Sequence, residues 1–131
     1  IFSRMPKSPR AKPASSSFRS PCPVACSLDL LGDRWTLLIV RDLFRGKTRY
    51  GEFLAGPEGI PTNILADRLV RLEQAGLIAS AAYQQNPPRY AYTLTGKGAD
   101  LKPVIAALAG WALRHLSRVQ PDKQLLSLLR N

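Results

Sequence analysis

The sequence predicts a mainly α-helical fold that carries one small β-hairpin. Apolar residues recur at three- and four-residue spacing along much of residues 23–76, which is typical of amphipathic helices. Two short strand-like runs follow, and a last apolar helical pattern begins after Thr95. A chain of 131 residues has the length of a single domain with one modest core.

The first two helices are predicted at 23–31 and 34–44. Gly32 ends the first helix, and Asp33 is suited to cap the N-terminus of the second. The apolar stripe of the second helix consists of Trp35, Leu38, Ile39 and Leu43.

A short third helix is predicted at 50–54, and a fourth lies within residues 59–78, GIPTNILADRLVRLEQAGLI, where Gly76 ends it. Its apolar stripe includes Leu65, Leu69 and Leu72. Its outer face opens with Pro61, Thr62 and Asn63. A merely solvated face would carry more Lys and Glu, so this outer face is a candidate contact surface.

The hairpin is predicted from strands at 77–83 and 90–94. Residues 84–89 join them, and the pair Pro87-Pro88 argues against a tight turn. Helix, helix, short helix, helix and hairpin is the order of a winged helix-turn-helix domain. In that architecture the helix before the hairpin enters the DNA major groove, and the hairpin, or wing, follows the backbone or minor groove.

Thr95 is expected to cap one long final helix that runs to about Leu116, and residues 121–129 are expected to add one or two turns. The apolar residues of the final helix are too many for one exposed face: Leu101, Val104, Ile105, Leu108, Trp111 and Leu116. This excess of apolar surface predicts a two-fold homodimer.

The charge of the chain favours a polyanionic partner. The formal net charge is +10 and the pI is about 10.3. Five of the 19 basic residues fall in residues 1–21, which contain no acidic residue, so 14 basic and nine acidic residues remain in 22–131. Residues 1–21, rich in Pro and Ser, predict a flexible basic arm, and residues 22–131 predict the DNA-binding and dimerisation domain.

The outer face of the fourth helix has two interpretations. Small polar residues at a helix N-terminus let the backbone approach phosphate, Asn63 can pair with adenine, and the Thr62 methyl can meet thymine. Equally, Pro61-Thr62 is ordinary capping chemistry and Asn63 could be solvated. Periodicity alone leaves both interpretations open.

Six pieces of the sequence follow one another between roughly Cys22 and Leu116: CPV from Cys22, LDLLGDRWTLLIVRDLFRG, TRYGEF, GIPTNILADRLVRLEQAGLI, PPRYAYTLTGKG and LKPVIAALAGW. In these pieces and in their order, the chain resembles the HxlR-type (MarR-like) bacterial transcriptional regulators, which are winged-helix DNA-binding homodimers. The resemblance implies that Trp35 lies in the core of each protomer and that the first and final helices form the dimer interface.

The resemblance and the outer-face pattern together nominate the DNA-binding residues. These are Arg49, Pro61, Thr62, Asn63, Asp67, Arg68, Arg71 and Arg89. Pro61 departs from the family, in which Ser or another small residue is more usual, although Pro suits a first helical position. The wing tip, residues 84–86, is uncharged, so phosphate contact by the wing is expected to depend mainly on Arg89.

Cys22 directly precedes the first helix, where the helix dipole stabilises a thiolate. The resemblance implies redox sensing, because a cysteine in this Cys-Pro context has that role in several family members. The alternative is that Cys22 packs at the dimer interface. Cys26 is an addition to the family pattern and a candidate resolving thiol, although a bond between protomers has easier geometry than one within the helix.

Other kinds of chemistry find little support in the sequence. His115 has the position of an ordinary surface or interface residue, and two cysteines four apart with one distant histidine have no usual zinc spacing. The segment 96–98, Gly-Lys-Gly, lacks the Walker A frame and predicts a turn. We therefore expect neither an enzyme nor a cofactor or metal site.

The sequence thus predicts a transcriptional regulator. Repression is the expected mode of regulation, and the sequence leaves activation open as the alternative. It would bind a pseudo-palindromic double-stranded DNA operator as a homodimer and respond to an oxidant or a small molecule. A cytoplasmic location without membrane contact is expected, because no apolar run reaches membrane-spanning length and no signal-peptide core is present. A small basic redox or ligand-binding module and a non-specific nucleic-acid architectural protein remain alternatives.

Overall fold

The computed structural model describes residues 18–130. Residues 1–17 of the predicted arm lie outside this range. The elements, in chain order, are α1 (Pro23–Leu31), α2 (Thr36–Phe44), α3 (Tyr50–Leu54), α4 (Thr62–Gln74), β1 (Ile78–Gln85), β2 (Pro88–Leu94), α5 (Gly96–Ala99), α6 (Lys102–His115) and α7 (Lys123–Arg130). The predicted fold class, mainly helical with one antiparallel hairpin, is confirmed.

The core forms where α2, α3, α4, the start of β1 and the last two helices meet. Its buried apolar residues are Ile39, Val40, Leu43, Phe53, Leu65, Leu69, Leu72, Leu77, Ile78, Ile105, Leu125 and Leu129. The stripe predicted for α4 is therefore confirmed. Trp35 is only half-buried and lies at the margin of this core, although the resemblance placed it inside.

Helix α2 begins at Thr36, two residues later than predicted. Asp33 still organises its N-terminus: one carboxylate oxygen accepts hydrogen bonds from the N–H groups of Trp35 (3.0 Å) and Thr36 (3.2 Å). The Thr36 hydroxyl donates to the other oxygen. These bonds hold residues 33–35 as a turn, so Asp33 caps the helix from a position before its first residue.

The single long final helix was a wrong prediction, because the segment divides into α5 and α6. Thr95 caps α5, where its hydroxyl accepts a hydrogen bond from the Gly98 N–H at 3.1 Å. Pro103 then lacks the N–H that a continuous helix would direct to the Ala99 carbonyl, so the chain restarts as α6 with Pro in its first turn.

The segment 96–98, predicted as a turn, is instead the main part of α5. Gly98 is required there, because a Cβ atom would lie 2.1 Å from the carbonyl oxygen of Leu77. The expected extra turns near the C-terminus form α7, which packs on α6 and α2 through Leu125 and Leu129.

The hairpin is longer and its turn is tighter than predicted. Gln85 pairs with Pro88, so only Asn86 and Pro87 lie between the strands. The Gln84 side-chain amide donates to the Pro87 carbonyl at 3.0 Å and braces this turn. Pro88 is tolerated at the strand end because each strand of a two-stranded sheet is an edge, where a missing N–H disrupts little.

Across residues 18–130, none of the helices is both long and apolar enough to cross a membrane.

Candidate nucleic-acid interface

Helix α4 presents its N-terminal turn to solvent. Pro61 occupies the N-cap position, with φ −64° and ψ 147°, rather than the first helical position that the sequence suggested. Within the described chain, no side chain caps this end, and Pro61, Thr62 and Asn63 are all exposed. The free N–H groups of the first turn are therefore available to an external acceptor such as a phosphate oxygen.

The N-terminal turn of α4 is held by a hydrogen bond from α3. The Tyr50 hydroxyl donates a hydrogen bond to the Thr62 carbonyl at 2.7 Å. Partial burial raises the pKa of Tyr50, so the phenol remains a donor at physiological pH. The exposed turn is thus held in place by a side chain that points away from the outer face.

The charged residues of α4 have different surroundings. Arg68 is largely covered, with 16% of its side chain exposed; its Nε lies 2.8 Å from Asp33 Oδ2 and its Nη1 lies 2.5 Å from Asp67 Oδ2. Arg71 is half exposed, and its Nη1 lies 3.7 Å from the same Asp67 oxygen. Arg68 is therefore committed to protein partners, whereas Arg71 remains accessible to a ligand.

Asp33 joins this cluster from the α1–α2 connection. Partial burial would by itself raise the pKa of Asp33, but hydrogen bonds from Arg68, Thr36 and the Trp35 N–H outweigh it. The pKa falls from 3.8 to about 2. The carboxylate is therefore ionised at every physiological pH, and its pair with Arg68 persists.

One exposed arginine lies on the wing and a second lies beside it. Arg89 lies opposite Gln84 near the tip of the hairpin. Arg49 forms an isolated bridge with Ala91 in β2, and its guanidinium lies 4.0 Å above the centre of the Tyr83 ring. An exposed arginine at the N-cap of α3 therefore lies beside the wing, in addition to Arg89 within it.

Arg49 is held at the wing by its backbone as well. A Glu52 carboxylate oxygen accepts hydrogen bonds from the N–H groups of Thr48 (2.8 Å) and Arg49 (3.0 Å), and these bonds lower the pKa of Glu52. The Tyr92 N–H donates to the Thr48 carbonyl at 2.8 Å. Sequence reasoning missed Tyr83 as the partner of Arg49, because a cation–π pair between distant positions has no local signature.

Two apolar helix faces lack a partner within the described protomer. Helix α1 has no buried residue, and Val24 and Leu28 are 66% and 55% exposed. On α6, Val104, Leu108 and Trp111 recur at helical spacing, and the last two are more than half exposed. Ile105 was expected on this face, but it is buried in the protomer's own core.

The two cysteines are free thiols with different exposure. Cys22 is the exposed N-cap residue of α1, and Cys26 is half-buried one turn later. The Cys26 thiol donates to the Ser20 carbonyl, with 3.1 Å between the sulfur and the oxygen. Arg19, from the predicted arm, lies against the same helix, with its Nε 2.6 Å from Asp29 Oδ1.

Comparison with known proteins connects this geometry to a family of regulators. A sequence model of the family described as HxlR-like helix-turn-helix matches residues 30–120. The HTH-type transcriptional regulator sll1512 of Synechocystis is 39% identical over 87 residues, which are 66% of this chain and only 64% of that relative.

Two solved structures are also similar. The reduced form of the transcriptional regulator YodB from B. subtilis has 31% identity and a TM-score of 0.62, and the match covers 77% of this chain and 100% of that one. The reduced form of the redox regulator HypR has 29% identity and a TM-score of 0.67, with 73% and 95% covered. The resemblance and the winged helix-turn-helix fold predicted from the sequence are thereby confirmed.

Proposed function

The chain belongs to the HxlR-like helix-turn-helix family, and on that premise we propose that it is a sequence-specific DNA-binding transcriptional regulator that acts as a homodimer. The observation that carries the proposal is the uncapped, exposed N-terminal turn of α4, which has exposed arginines on and beside the neighbouring wing. Helix α4 would enter the major groove, and Arg49 and Arg89 would contact phosphates beside it.

Base readout would come from the first turn of α4. Asn63 can form a bidentate pair with adenine, and the Thr62 methyl can meet the methyl of thymine. Arg71, half exposed and one turn before the end of the helix, would contact phosphate. This division assigns sequence selection to the first turn and general affinity to the arginines.

The apolar faces of α1 and α6 support the homodimer. A Trp and two Leu side chains that are each more than half exposed, on two helices of one small domain, form more apolar surface than a solvated helix pair needs. Pairing across a two-fold axis would cover both faces and place two α4 helices about 34 Å apart. The operator would then be pseudo-palindromic, with half-sites about one helical turn apart.

A redox response is the form of regulation that we favour. Cys22 is exposed at the N-cap of α1, and two of the similar structures are of regulators, one of them named a redox regulator. Oxidation would join the Cys22 thiols of the two protomers in a disulfide, with loss of two protons and two electrons, and would reposition α1 and thus the dimer. The oxidant would accept the two electrons released by the two thiols. A small-molecule effector remains the alternative.

Selection of bound duplexes from a random library tests the proposal. We expect a pseudo-palindromic consensus that is held against excess random duplex, and a dimer in sedimentation at micromolar concentration. Binding to all duplexes alike would indicate an architectural protein. A failure to bind any duplex would favour a small basic redox or ligand-binding module.

A further inference from the structure

Asp33 and Arg68 connect two parts of the fold that lie 35 residues apart in sequence. Asp33 lies in the connection between α1 and α2, and it caps α2 through the N–H groups of Trp35 and Thr36. The same carboxylate oxygen accepts a hydrogen bond from Arg68 Nε at 2.8 Å. One side chain therefore joins the start of α2 and the flank of α4 at the corner where α1 ends.

Arg68 is engaged by two carboxylates of the protein. Its guanidinium lies between Asp33 on one side and Asp67 on the other, and only 16% of its side chain is exposed. Arg71, three residues later on the same helix, has 52% of its side chain exposed. The two carboxylates engage two of the five N–H groups of the guanidinium, and the covered position of the side chain limits the access of a phosphate to the others.

We propose that Arg68 and Asp33 are positioning residues, which fix the rotation of α4 relative to the α1–α2 corner, and that Arg68 does not itself contact DNA. The proposal rests on the proposed function, because it assigns a role within DNA recognition. It also revises the prediction from the sequence that Arg68 is a DNA-binding residue.

The tie adds a third kind of restraint to α4. The helix packs through Leu65, Leu69 and Leu72, and the Tyr50 hydroxyl holds the Thr62 carbonyl at its first turn. The bond to Asp33 instead restrains the flank of the helix. A charge-assisted hydrogen bond has a defined length and direction. The low pKa of Asp33 keeps this bond charged over the whole physiological range.

The tie also connects recognition to the helix that carries the exposed cysteine. Gly32 ends α1 and directly precedes Asp33, so a displacement of α1 is passed to α4 through one residue and one hydrogen bond. Loss of the bond should therefore reduce discrimination between sequences more than it reduces general affinity for DNA.

The test compares Arg68→Gln, Asp33→Asn and the double variant with Arg71→Gln as a matched control on the same helix. Asp33→Asn can keep the oxygen that accepts from the cap N–H groups and from Arg68 but removes the negative charge, so the bond to Arg68 loses its charge assistance while the cap is retained. Binding to the selected operator and to a random duplex is measured by fluorescence anisotropy over a series of salt concentrations.

We expect each single variant to weaken operator binding by about tenfold, with random-duplex affinity and the salt slope unchanged. The double variant should also lose about tenfold rather than a hundredfold, because the two changes remove one interaction. Arg71→Gln should weaken both duplexes equally and reduce the salt slope by about two phosphate contacts, one from each protomer. Arg68→Lys should behave as Arg68→Gln does for the operator, since an ammonium keeps the charge but not the planar fork.

The proposal is overturned if Arg68→Gln lowers the salt slope and weakens both duplexes equally, as a phosphate contact would. Additive losses in the double variant would overturn it as well. Amide hydrogen exchange of the protein without DNA is a separate measurement. Arg68→Gln should accelerate exchange in the first turns of α2 and α4 and leave exchange in the hairpin unchanged. Exchange that stays at the wild-type rate in α2 and α4 would refute the tie. A wild-type protein that selects no duplex would instead disprove the proposed function, and the exchange result would still decide whether the tie exists.

Discussion

Substitution of Asn63 by Ala is the most direct test of the recognition surface. Asn63 is exposed in the first turn of α4, so the change creates no cavity. Ala is also the better helix former by several tenths of a kcal/mol, so α4 should not be weakened. Any loss of binding can therefore be assigned to the missing amide rather than to unfolding.

The expected magnitude follows from the geometry of the dimer. A bidentate contact between Asn and adenine contributes about 1–3 kcal/mol of discrimination per half-site. Two half-sites bound by one homodimer would lose about 2–6 kcal/mol, and each loss of about 1.4 kcal/mol weakens binding tenfold. Affinity for random duplex should hardly change, because it depends on phosphate contacts.

Competition binding with the selected operator and its single-base variants measures this difference. The matched control is Gln74→Ala, which removes an exposed amide at the opposite end of the same helix and should have no effect on either duplex. The reasoning is refuted if Asn63→Ala retains both the wild-type consensus and the wild-type affinity. An equal loss with Gln74→Ala would show a general effect of the helix rather than base readout.

Four further predictions concern assembly, the wing, the thiols and acid stability. Trp111→Glu should produce a monomer in sedimentation at micromolar concentration, because dimerisation would bury an unpaired carboxylate. A dimer that persists in this variant would contradict an interface through α6. Arg89→Ala should weaken binding to every duplex about equally and lower the salt slope by about two, one phosphate contact in each protomer. A change of consensus instead would place Arg89 at a base. Cys22→Ser should abolish the loss of operator affinity in mild oxidant, whereas Cys26→Ser should alter only the recovery of affinity in reductant. If Cys22→Ser still loses operator affinity in oxidant, a small-molecule effector would be favoured. The pKa of Asp33 is lowered on folding, so its contribution to the free energy of unfolding is present above about pH 4 and lost as pH falls towards 2. Urea unfolding at pH 7 and pH 2.5 should therefore show that Asp33→Asn loses about 1 kcal/mol less stability than the wild type on acidification, after allowance for solvent screening.

Periodicity and capping chemistry account for most of the fold that the sequence predicted. Helices α1 and α3 have the limits that were predicted, and α4 ends at Gln74, just before the Gly76 that was predicted to end it, where φ is +79°. The errors arose where a local rule competed with another. The single final helix predicted from the apolar pattern would include Pro103, whose missing N–H divides α5 from α6.

The candidate site was less predictable, because its organisation depends on contacts between distant segments. The exposure of Thr62 and Asn63 follows from the helical spacing of the buried leucines, and sequence reasoning found it. The partner of Arg68 is 35 residues away, and Arg49 and Tyr83 meet only because β2 lies beside the start of α3. A one-dimensional pattern assigns all these arginines to one basic surface.

The structure divides these arginines into two groups with opposite consequences for specificity. Arg49, Arg71 and Arg89 are exposed enough to exchange water and counterions for phosphate, so they can contribute affinity that decreases as salt increases. The Arg68 side chain is mostly covered and its charge is balanced by two carboxylates, so it should add little to the attraction of phosphate. Its value to recognition therefore lies in fixing the direction of its helix, and this is a contribution that added salt should scarcely alter.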